Sequence, residues 1–106
     1  MSNTADASSA SGGGAESAVV RVVEICNKKG LHARASAKFV QTVEQFDAEV
    51  WVTRGGERVG GTSIMGLMML AAGPGTSITI EATGPQAGEV VDALAKLISG
   101  RFTEEE

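Results

Sequence analysis

Gly30-Leu31-His32-Ala33-Arg34-Ala35-Ser36 concentrates the reactive side chains of this chain, and it holds the only histidine among 106 residues. Good helix formers run from Ala33 to Gln45. The pattern predicts a turn, then His32 at or next to a helix N-cap, then the helix. Unpaired backbone N–H groups in the first turn of a helix make an anion site, and the macrodipole adds partial positive charge there. Arg34 contributes a full charge on a planar fork that suits phosphate oxygens. A nucleophilic imidazole beside such a cradle has the chemistry to accept and donate a phosphoryl group. The same local features also describe a surface histidine capping a helix beside a solvated arginine, and both readings stand at this level.

Composition limits the alternatives. Net charge is −4 and no Lys/Arg cluster appears, which argues against nucleic-acid binding. The single cysteine, Cys26, excludes an internal disulfide framework and any zinc site of paired cysteines, and its expected role is that of a small residue ending a strand. Neither a metal nor a cofactor is expected. No charged-then-apolar leader opens the chain, and the apolar run Ile64–Ala72 is too short to cross a bilayer, so a soluble, cytoplasmic protein without membrane contact is expected.

The elements that must hold the histidine follow in order. Residues 1–17 are Ser, Ala, Gly and Asn with a few acids and no large apolar side chain, which predicts a disordered tail before a domain over 18–106. Val19–Cys26 is β-branched and reads as a strand with Val23 and Ile25 inward. Asn27–Gly30 is a loop whose two lysines could draw in an acidic partner. Ala35, Phe39, Val40, Val43 and Phe46 mark the buried stripe of the first helix. Ala48–Thr53 alternates as a strand with Trp51 facing away from Val50 and Val52, and a turn leads to a short return strand, Arg58–Gly60. Gly55–Thr62 nearly fits a phosphate-binding loop, but Gly61 stands where that motif needs lysine and a hairpin is the wrong setting.

Thr62–Leu70 reads as a short helix capped by Ser63. Its apolar residues Ile64, Met65, Leu67, Met68, Met69 and Leu70 exceed what one buried stripe requires. Either all are core, or some form a methionine-rich docking surface. Ser77–Ala82 is a strand, and Thr83–Gln86 opens a last helix with Pro85 near its first turn and Gly100 at its end. The resulting βαββαβα order predicts an α+β protein, an open-faced β-sandwich in which a four-stranded antiparallel sheet is covered on one face by three helices.

From about Val20 onward these residues resemble the HPr-type histidine phosphocarriers of bacterial phosphotransferase systems. The likeness is carried by Gly30-Leu31-His32-Ala33-Arg34, by Ser63-Ile64-Met65-Gly66-Leu67-Met68 and by the element order. Phe46–Val50 and Glu81–Pro85 look like the nitrogen-type (NPr-like) branch. The resemblance implies a phosphoryl carrier rather than a stand-alone enzyme. It implies phosphorylation of His32 on Nδ1, phosphoryl stabilisation by Arg34, and regulatory phosphorylation of Ser63 by an HPr kinase/phosphorylase. It further implies partner docking on Ile64, Met65 and Met68, an enzyme I-type donor charged from phosphoenolpyruvate, IIA-type acceptors, and a monomer. Ala35 departs from the proline many members carry after the arginine. Gln41 and Glu44 occupy positions where sugar-uptake members often carry lysine, which favours a regulatory relay over sugar uptake. A non-phosphorylated binding module using the Ile64–Met68 patch is the alternative of another class.

Overall fold

The computed structural model describes residues 18–103; the predicted tail at 1–17 and the acidic end at 104–106 lie outside them. The element order is β1 (Val19–Glu24), α1 (Ala33–Val43), β2 (Glu49–Arg54), β3 (Glu57–Gly60), α2 (Ile64–Met69), β4 (Ser77–Thr83) and α3 (Ala87–Ser99), closed by a short turn, Arg101–Thr103. The strands form one antiparallel sheet in the order β1-β4-β2-β3, with Val23 opposite Ile78 and Val52 opposite Ile80. The expected open-faced α+β sandwich is therefore the observed one.

Alternation sets the two faces of the sheet. Val50, Val52, Ile78, Ile80 and Ala82 are buried against the helices, whereas Val20, Val22 and Trp51 are exposed on the other side. There Trp51 lies under the Arg58 guanidinium, 4.8 Å from the ring centre, and Arg58 meets Glu81 at 3.4 Å. Phe39, Val40 and Val43 of α1 and Val90, Val91, Leu94 and Ile98 of α3 supply the facing layer.

The boundaries depart from expectation in physical ways. α1 ends at Val43 instead of Gln45, because Gln45 and Phe46 turn their N–H groups back to the carbonyls of Thr42 and Val43. Phe46 still packs on the core, but from that turn. α3 starts at Ala87 with Gln86 as N-cap and Pro85 immediately before it, near the first turn as expected, but Thr83 belongs to β4 and does not open the helix. Cys26 lies beyond β1 and does not end it; it is exposed, with its Sγ 3.2 Å from the Ile98 carbonyl oxygen.

The closing turn was not anticipated. Arg101, Phe102 and Thr103 all adopt positive φ, which is costly for residues with a Cβ. Full burial of the Phe102 ring offsets that cost, as does Lys38 Nζ, which donates to the Phe102 carbonyl at 2.6 Å and to Thr103 Oγ1 at 2.9 Å.

Candidate functional site

The turn before α1 is built by reciprocal hydrogen bonds. The buried Asn27 side chain donates through Nδ2 to the Gly30 carbonyl at 2.8 Å, and the Gly30 N–H donates to the Asn27 carbonyl at 3.2 Å. Gly30 sits at φ +63°, and a Cβ there would collide with the Ala72 carbonyl oxygen and lie 2.8 Å from Gly73 Cα. Only glycine permits that approach. Leu31 then donates its N–H to the Ala72 carbonyl at 3.0 Å, fastening the turn to the segment after α2.

His32 is the N-cap of α1 in extended backbone, and its carbonyl accepts the Ser36 N–H at 2.8 Å. Its imidazole makes no capping bond, and the first turn contains no acidic residue, so no carboxylate of α1 competes for the positive end of the helix. Arg34 is exposed within that first turn. Ser36, absent from the expected stripe, is buried and donates Oγ–H to the Leu31 carbonyl at 3.1 Å.

Ser63 caps α2 as expected: its Oγ accepts the Gly66 N–H at 3.0 Å, and it remains exposed. Gly66 is required by close packing, since a Cβ would lie 2.9 Å from Ser63 Oγ and 3.0 Å from Val59 Cβ. Leu67 and Leu70 anchor the helix in the core, while Ile64, Met65, Met68 and Met69 are exposed. At the far end, Arg54 of β2 donates Nη1–H to the Leu70 carbonyl at 3.1 Å, and Ala71 follows at φ +52°.

These elements converge. His32 and Met68, with Leu31, Ala71, Ala72 and Gly73, line one open depression of about 290 Å³. His32, the start of α1 and the outer face of α2 thus share a surface, with Ser63 at the other end of α2. Asn27, Arg54 and the Ala72 carbonyl are supporting parts that sequence reasoning missed. The spacing of Asn27 and Gly30 was a usable turn signal; nothing in the sequence shows that residue 72 abuts residue 30. Among the described residues no group of three or more His, Cys, Asp or Glu side chains could hold a metal, and no helix is long and apolar enough to cross a membrane.

An open-faced α+β sandwich that presents one histidine at a helix N-terminus, beside a short apolar helix, defines a small class of proteins. The family model for the HPr component of phosphotransferase systems, described as the PTS HPr component phosphorylation site, matches residues 19–100, and the chain belongs to the HPr family. It is 58% identical over 84 residues to the phosphocarrier protein HPr of Neisseria meningitidis serogroup A, covering 79% of this chain and 94% of that protein. It is 40% identical to the phosphocarrier protein NPr of Shewanella violacea over 79% of this chain and 92% of that one. Among solved structures, an HPr from Thermoanaerobacter tengcongensis superimposes with a TM-score of 0.79 at 40% identity, covering 83% of this chain and 99% of the other.

Proposed function

We propose that this protein is a phosphoryl carrier: His32 accepts a phosphoryl group on Nδ1 from an enzyme I-type donor charged by phosphoenolpyruvate and passes it to IIA-type proteins. The observation that carries this reading is the placement of His32 at the head of α1, whose first turn holds no acidic residue, in a depression open to a partner. Neutral imidazole is a good nucleophile and a workable leaving group. The bond from phosphorus to the donor histidine breaks as the bond to His32 forms, in line, and a second in-line displacement discharges the carrier. Positioning and charge stabilisation supply the catalysis, with the helix terminus and Arg34 steadying the phosphoryl oxygens. No cofactor takes part.

Ile64, Met65 and Met68 form the docking patch, and Lys28 and Lys29 beside the site favour acidic partners. His32, Arg34 and α2 all belong to one chain, so a monomer suffices. The relay is cytoplasmic in this reading. Phosphorylation of Ser63 by an HPr kinase/phosphorylase would add about −1.5 to −2 charges at the edge of the apolar patch and weaken docking. Ser63→Asp is expected to reduce donor affinity, as titration calorimetry would show; unchanged affinity would remove this regulatory role.

The pathway is read as a nitrogen-type regulatory relay, supported by Phe46–Val50, Glu81–Pro85, Gln41 and Glu44. One observation favours a second reading: the Neisseria relative at 58% identity carries the name HPr, whereas the NPr relative stands at 40%, which weighs against the nitrogen-type branch and leaves a sugar-uptake carrier as the alternative. The test of both is intact mass after incubation with phosphoenolpyruvate and either a nitrogen-type or a sugar-type enzyme I. The expected result is an acid-labile gain of one phosphate, absent in His32→Ala, and faster with the donor of the correct branch. No gain with either donor would leave a binding module acting through α2.

A further inference from the structure

α2 divides its side chains by type. Leu67 and Leu70 are 0% and 3% exposed and hold the helix to the core. Every methionine of the described residues lies outside: Met65 and Met69 are each 70% exposed, one helical turn apart, and Met68 is 39% exposed where it lines the depression with His32. Flexible thioethers suit an apolar surface that meets more than one partner, and they add a redox chemistry that leucine lacks. We infer that Met65, Met68 and Met69 form an oxidation-sensitive modification site, at which conversion to sulfoxides by a peroxide closes the docking face beside His32. The inference rests on the carrier reading.

The step balances with the peroxide as two-electron oxidant. A lone pair on Sδ attacks one peroxide oxygen, the S–O bond forms as the O–O bond breaks, and the departing hydroxide takes the proton from the sulfur-bound oxygen, leaving the sulfoxide and one water. Sulfur loses two electrons and the peroxide gains them. A thiol-dependent methionine sulfoxide reductase reverses the change. The product is a polar, strongly hydrogen-bonding group on a surface that must lose its water when a partner docks. Because the leucines, and not the methionines, fasten α2, the folded domain does not register the change.

The test uses the full chain with Cys26→Ser, since the exposed thiol would also react. Hydrogen peroxide is added and peptide masses confirm one oxygen on each α2 methionine. The donor concentration giving half-maximal phosphorylation of His32 is expected to rise at least about tenfold. The rate at saturating donor and the thermal midpoint should stay unchanged, and methionine sulfoxide reductase should restore the original value. Replacing all three by leucine sets a half-saturation of its own for the donor, and peroxide treatment should leave that value unmoved. An oxidised protein with an unchanged half-saturation would overturn the inference, as would a loss that persists in the leucine variant or a fall in thermal midpoint that accounts for it. Failure of the untreated protein to accept phosphate from either donor type is a separate result, which removes the carrier reading itself.

Discussion

Three consecutive positions, Gly30, Leu31 and His32, show how little freedom the backbone at the histidine has. Gly30 occupies the left-handed region against the Ala72 carbonyl, Leu31 donates to that same carbonyl, and His32 inherits the position these fix. Gly30→Ala meets both a dihedral penalty and a backbone collision, so it should destabilise the fold by roughly 2 kcal/mol or more. Urea unfolding would measure that loss, and phosphorylation of His32 by its donor should slow in parallel because the turn must shift away from residue 72. His32→Ala is the contrast: it removes the imidazole without touching the turn that Gly30 and Leu31 build, and it should abolish phosphorylation outright, as intact mass would show.

α2 is too short to be stable by propensity and depends on its ends and its buried leucines. Ser63 satisfies the first turn, and Arg54 satisfies a last-turn carbonyl while placing positive charge at the negative end of the helix. Beyond that carbonyl come Ala71 in strained backbone and then the oxygen that holds Leu31. Arg54→Met should therefore cost about 1–2 kcal/mol through loss of a charged hydrogen bond. Hydrogen exchange should show faster opening at the Leu70 and Ala71 amides than elsewhere in the helix layer, and equal acceleration across all elements would argue against a local cap. The sequence placed Arg54 in a turn because its partner, sixteen residues later, is a main-chain atom that no side-chain pattern reveals.

Over the whole molecule, the core is closed at its end by Phe102. That ring is fully buried although the residue follows Gly100, where the helical pattern stops. Phe102→Ala should destabilise the protein by about 3–5 kcal/mol. Thermal unfolding would register it, and a loss below about 1 kcal/mol would show that the turn is peripheral to the core.

By itself the sequence determined the open-faced α+β sandwich, the placement of His32 at the head of α1 and of Ser63 at the head of α2. It could do so because hydrophobic period and capping chemistry are local: Val50 and Val52 alternate, Phe39, Val40 and Val43 recur at helical spacing, and serine satisfies an N–H three residues away. It also left open whether the methionines of α2 were core or surface, since periodicity in a six-residue helix cannot rank so many apolar residues. The family resemblance put Met65 and Met68 on a docking surface, and the tertiary structure decided that both leucines go inward and that Met69 joins those methionines outside, with Met68 beside His32. It alone brought residue 72 against residue 30, Arg54 onto the end of α2, and Lys38 onto the carbonyl of Phe102. Each of those contacts ends on a backbone carbonyl distant in the chain, and a backbone carbonyl carries no residue identity for a sequence to show.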